Sequence, residues 1–144
     1  MSSSKEILAY TRGGPAGLRK IQITVAVAAS GATHDSAASV PANFYPLFLR
    51  VDFSAAITNA VTLDDIGPTG DTDGYVDAGT LAFTAALMQA GTSVECPCNG
   101  AQGLGSAVAN TAVPAVATAP IRLTYSGATG TAITATVTMW GAGG

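Results

Sequence analysis

Ile133-Thr134-Ala135-Thr136-Val137-Thr138-Met139-Trp140 decides the fold. Ile133, Ala135, Val137 and Met139 alternate with Thr134, Thr136, Thr138 and Trp140, the period of two of a strand with one face buried. Valine, isoleucine and threonine, branched at Cβ, favour the pleated backbone over a helix.

The same alternation recurs upstream. Ile121, Leu123 and Tyr125 alternate with Arg122 and Thr124. Ser126-Gly127-Ala128-Thr129-Gly130 joins this run to the last one, and its composition predicts a hairpin loop. Ile21, Ile23, Val25, Val27 and Ala29 face one way, against Lys20, Gln22, Thr24 and Ala26. Leu47, Leu49, Val51 and Phe53 alternate with Phe48, Arg50 and Asp52. Shorter strands are predicted over 61–66 and 93–96. Residues 81–89 read as a strand on Leu81, Phe83, Ala85 and Leu87, with a short helix ending at Gly91 as the alternative. Residues 31–42 read as a loop. Residues 101–119 read as a loop or irregular edge strand, because Pro114 lacks a ladder donor. The prediction is a mostly β chain: an antiparallel β-sandwich or jelly-roll-like barrel over 20–144, with an extended N-terminal arm over 1–19.

Composition points to assembly. The chain has 144 residues, enough for one domain with its own core. Only 10% are charged, against roughly a quarter in ordinary soluble domains. Its surface must be largely Ser, Thr, Asn, Gly and Ala, which carries little repulsion and packs closely against flat neighbours. The start, Met1-Ser2-Ser3-Ser4-Lys5-Glu6, lacks the apolar run of a secretory signal. No stretch approaches the roughly 18 apolar residues of a membrane span. The expectation is synthesis in a cytoplasm and solubility until assembly, with no membrane partner.

Charge is uneven. Lys5, Arg12, Arg19 and Lys20 precede a body holding Asp35, Asp52, Asp64, Asp65, Asp71, Asp73, Asp77 and Glu95. Gly13-Gly14-Pro15-Ala16-Gly17 resists regular structure. This basic arm either docks on an acidic neighbouring subunit or ends as a solvated terminus. Nucleic-acid binding is not expected, because the chain is acidic overall and the arm lacks a dense basic run with interleaved aromatics. Arg12, Arg19 and Lys20 are candidate interface residues. Tyr10, Tyr45 and Trp140 join them as aromatic anchors, with core packing the rival role for Tyr45 and Trp140.

Little suggests catalysis. His34, the single histidine, sits beside Asp35 and Ser36, but neighbours in sequence rarely converge on one reacting atom. It reads as a polar loop residue, and the chain is not expected to be an enzyme. Cys96-Pro97-Cys98 is one residue too short for a redox pair and would strain a disulfide. The two read as free thiols, with an intersubunit metal or disulfide as the alternative. Asp71, Asp73 and Asp77 lie around Gly74 and could give hard oxygens to calcium, although no glutamate closes the loop. Asp-Gly is equally an ordinary turn former. No other cofactor is suggested.

The Ser-rich start, the basic Gly/Pro arm, the Ala/Thr/Gly-rich strands and the two final β runs, 120–125 and 130–140, together resemble something known. Across its length the chain resembles the small accessory virion proteins of tailed bacteriophages, especially capsid decoration or cement proteins. The likeness has no signature motif, so no site residue carries over. It implies binding to the major capsid protein on the outside of an icosahedral shell, often as a homotrimer, bridging capsomers against genome pressure.

Overall fold

Seven strands form in the described residues, 18–77, 93–103 and 117–144, of a computed structural model. They are β1 (Arg19–Val27), β2 (Thr33–Val40), β3 (Phe44–Phe53), β4 (Leu63–Pro68), β5 (Val94–Pro97), β6 (Ala119–Tyr125) and β7 (Ile133–Gly143). One sheet has the order β1-β7-β3-β5 and the other β2-β6-β4, with every neighbouring pair antiparallel. The two sheets do not close on each other, so the architecture is a β-sandwich and not a barrel. The predicted segment 81–89, the arm before residue 18 and most of 101–119 lie outside the described residues.

The core lies between the sheets. Val25, Val27, Leu49, Val51, Ala135, Val137 and Met139 come from the first sheet, and Val40, Leu63, Ile66, Ile121, Leu123 and Tyr125 from the second. All are buried, each large aliphatic contributing about 1.5–3 kcal/mol. β7 is central because two strands flank it, β1 and β3, and its inward residues Ile133, Ala135, Val137 and Met139 all reach the core.

Two expectations are corrected. β6 and β7 are not a hairpin: they belong to different sheets, and residues 126–132 carry the chain from one to the other. Two half-buried strands have the same pattern whether they pair edge to edge or face each other across a core, so periodicity cannot distinguish the cases. The crossing is pinned by contacts distant in sequence. Thr129, buried, donates to the Ala28 carbonyl at 3.2 Å, Gly130 N–H donates to the Ala29 carbonyl at 2.9 Å, and Asn59 Nδ2 donates to the Ala128 carbonyl at 2.8 Å.

Residues 33–40, read as loop, form β2. Its inward positions include His34 and Ser36, so the hydrophobic signal was silent although the burial alternates. Backbone donors reach one polar atom of each. His34 Nδ1 accepts from Ala28 N–H at 3.3 Å, and Ser36 Oγ accepts from Ile121 N–H at 2.9 Å. His34 is therefore a buried strand residue, its ring edge-on to Tyr125 at 5.9 Å.

A bulge in β3 sets up the outer face. Pro46 opposes Gly141 and Phe48 opposes Trp140, which leaves Leu47 as the extra residue. The bulge resets the strand's phase, so Phe44 and Pro46 are buried before it and Leu49 and Val51 after it. Leu47 thus leaves the inward series in which the alternation had placed it and is 37% exposed. β7 approaches closely here: a Cβ on Gly141 would lie 2.2 Å from the Tyr45 carbonyl oxygen.

Candidate functional site

The outward face of the four-stranded sheet carries a row of one residue from each strand. Lys20 opposes Trp140, Trp140 opposes Phe48, and Phe48 opposes Pro97. Phe48 and Trp140 stack, with ring centroids 4.7 Å apart and 14° between planes. Both rings are half-buried, while Lys20 and Pro97 at the ends of the row are exposed. Tyr45 lies beyond the bulge opposite Ala142, also half-buried, and exposed Leu47 adjoins it. Neither Tyr45 nor Trp140 belongs to the core cluster of the described residues.

The next rows are polar. Gln22, Thr138, Arg50 and Glu95 stand in register. Gln22 Nε2 donates to Thr138 Oγ1 at 3.1 Å. Arg50 meets Asp52 Oδ1 at 2.9 Å and Glu95 Oε2 at 3.4 Å. The hydroxyl of Ser93 donates to Asp52. That bond, with the Arg50 guanidinium, holds the Asp52 carboxyl below the usual range. The face therefore grades from an aromatic end to a charged network, giving it an orientation for any partner. Charge-assisted contacts on such an exposed face steer approach more than they add affinity.

The remaining sequence candidates scatter. Tyr10 and Arg12 lie outside the described residues. Arg19 is the first residue of β1 and donates through Nη1 to the Gly144 carbonyl at 3.0 Å. Its guanidinium thus braces the chain end beside the face. Lys20, exposed, is the basic candidate that lies in the aromatic row.

The aspartates do not form the expected trio. Among the described residues no three His, Cys, Asp or Glu side chains come together as a metal-holding group. Asp71 belongs to the turn after β4: its N–H donates to the Pro68 carbonyl and its own carbonyl accepts from Gly74 N–H, both at 2.9 Å. Its Oδ2 accepts from Gln102 Nε2 at 2.9 Å. Burial raises the Asp71 carboxyl above the usual carboxylate range, helped by the neighbouring Asp73 and opposed by Gln102. Asp77 lies past buried Tyr75 and Val76, where its N–H donates to Asn99 Oδ1 at 3.3 Å. Sequence gave no sign of Gln102, 31 residues from Asp71.

Cys96 and Cys98 are free and buried. Burial pushes the Cys96 thiol up to about 12 and moves Cys98 in the same direction. Both thiols are thus held in the neutral form inside the fold.

No family model matches the chain, and no curated protein matches it. A chain of the cyanophage Pam1 capsid asymmetric unit superimposes with a TM-score of 0.52, over 99% of this chain and 99% of its own length. The likeness is one of fold. Sequence identity is 17%.

Proposed function

We propose that this chain is a virion structural protein of a bacteriophage, binding the outer surface of the capsid and stabilising it by bridging capsid subunits. The observation that carries this reading is the full-length likeness of fold to a chain of a phage capsid asymmetric unit. The low charge content supports it, because a neutral surface packs on a lattice without accumulating repulsion. The aromatic row supplies the joint: Trp140 and Phe48 bury apolar area against the major capsid protein, and Lys20 with the basic arm guides the approach. Each joint need contribute only modestly, because many simultaneous contacts multiply through effective concentration. Self-association as a homotrimer completes the proposal. The protein acts by binding and not by catalysis.

Purified particles test it. Copy number matching capsomer symmetry, with the protein on the outer surface, is the expected result. Decorated shells should then survive heat or low-salt shock that bursts bare shells. Removing residues 1–17, or reversing charge at Arg12, Arg19 and Lys20, should weaken shell binding, the reversal more at low salt than at high salt. A few copies at a vertex or tail would move the protein to the head-fibre, tail or host-binding class. Equal fragility of bare and decorated shells would overturn the stabilising role.

A further inference from the structure

We propose that the apolar run Ile7-Leu8-Ala9-Tyr10 of the chain's own arm covers the row Lys20, Trp140, Phe48 and Pro97 in the free protein. The run lies outside the described residues. What selects it is the nature of the row, the point where the arm leaves the fold and the length of chain between them.

The first observation is the row itself. Phe48 and Trp140 stack, half-buried, on the solvent side of the four-stranded sheet. Tyr45 is half-buried beside them, and Leu47 is 37% exposed. A contiguous apolar patch on a sheet face marks a contact site. In a chain with only 10% charged residues, little repulsion keeps two bare rows apart.

The second observation is where the arm departs. Arg19 and Lys20 open β1, and Lys20 opposes Trp140, so the arm leaves the fold at the edge of the row. Gly13-Gly14-Pro15-Ala16-Gly17 separates that point from the apolar run and lets the chain reverse. Thr11 to Leu18 spans about 26 Å when extended. Phe48 lies two strands from Lys20, about 10 Å across the sheet. The arm therefore reaches its own row with length to spare. A tether this short holds the run near the row at an effective concentration on the order of millimolar, so weak contacts suffice and a second copy competes only when concentrated.

The third observation is fit. Ile7 to Tyr10 is the longest apolar run of the arm. Laid across the strands, it covers about 10 Å, the spacing from β7 to β5. In an extended segment Leu8 and Tyr10 share one side, which sets Tyr10 on Trp140 and Leu8 toward Phe48 and Leu47. Lys5 then arrives over β5. There Glu95, its side chain 63% exposed, shares Arg50 with Asp52, two carboxylates to one guanidinium. Charge complementarity thus sets the direction of the run. Where the row serves as a shell joint, the capsid subunit must displace the run, and that frees the arm to reach a neighbour.

Trp140 is the single tryptophan, so its emission reads the row directly. The experiment is selectively excited tryptophan fluorescence with acrylamide quenching. It compares the full chain, a chain lacking residues 1–12 and the full-length double variant Leu8→Ser, Tyr10→Ser, each shown to be folded by urea unfolding. Both altered chains should emit at longer wavelength and quench more steeply than wild type. A peptide of residues 5–12, titrated into the shortened chain, should restore the wild-type emission at about millimolar concentration. Dilution of the wild type should leave its emission unchanged. Emission unaltered in both altered chains would overturn the cover. A wild-type emission that shifts on dilution would overturn it in favour of a second copy as the occupant. No shells are used, so either result leaves the capsid reading to its own test.

Discussion

The indole of Trp140 stacks on the ring of Phe48 across the β3–β7 pairing, 4.7 Å between centroids and 14° from parallel. The pair sits on the solvent side of a sheet whose other side is the core, so it adds little to the sandwich interior. An aromatic pair of this kind is worth about 0.5–1.5 kcal/mol beyond its buried area. The coupling energy from single and double alanine variants at Trp140 and Phe48 should therefore be about 1 kcal/mol in urea unfolding. Shell binding by Trp140→Ala should fall more than tenfold, far beyond what that loss of stability explains. Binding equal to wild type would remove the row from the joint.

Gly141 is required by the bulge opposite it. A methyl group there would meet the Tyr45 carbonyl oxygen at 2.2 Å and Pro46 Cα at 2.6 Å, both backbone. Neither can move without parting β3 from β7, so Gly141→Ala should cost at least about 2 kcal/mol. Chemical denaturation measures it. Gly70→Ala, where a Cβ meets nothing within 4 Å, is the matched control and should cost far less.

Asp35 and Arg122 oppose each other in the β2–β6 register and form a two-pronged pair, Nε to Oδ1 at 2.7 Å and Nη2 to Oδ2 at 2.9 Å. The hydrogen bonds and charge of Arg122 lower the Asp35 carboxyl. Its contribution is present above the ordinary aspartate value of 3.8 and is lost as pH falls through the lowered folded value. The side chain is 40% exposed, so solvent screening limits the contribution to about 1 kcal/mol or less. Asp35→Asn should lower stability at pH 7 by that much and converge with wild type at strongly acidic pH. Denaturant midpoints across the pH range check it.

Asp71 has the opposite sign. Its carboxyl is raised in the folded chain, so its ionisation opposes folding. That penalty is absent below the ordinary value of 3.8 and grows as pH rises through the folded value. Asp71→Asn keeps an acceptor for Gln102 Nε2 and removes the charge. The variant should melt higher than wild type at pH 7, and the difference should vanish in acid; thermal melts across the pH range check it.

The local pattern carried much of the fold. Ile23, Val25 and Val27, then Ile121, Leu123 and Tyr125, then Ile133, Ala135, Val137 and Met139 are all buried as their alternation requires. Leu47 departs because a bulge is a property of two strands: the extra residue exists only relative to its partner. β2 escaped notice because His34 and Ser36 occupy inward positions, and a polar side chain is stable there only once other segments supply partners, as Ile121 N–H does for Ser36.

By itself the sequence determined a low-charge β chain with alternating faces, candidate aromatic anchors at Tyr45 and Trp140, and an acidic turn after residue 68. Side-chain alternation is a property of a single strand, set by its pleat, and needs no partner to be read. Tertiary structure alone decided that β6 and β7 lie in opposite sheets, that Trp140 meets Phe48, and that Gln102 reaches Asp71. Each of these joins residues far apart in the chain, and register and sheet order follow from the best simultaneous burial of every strand, which no single segment encodes.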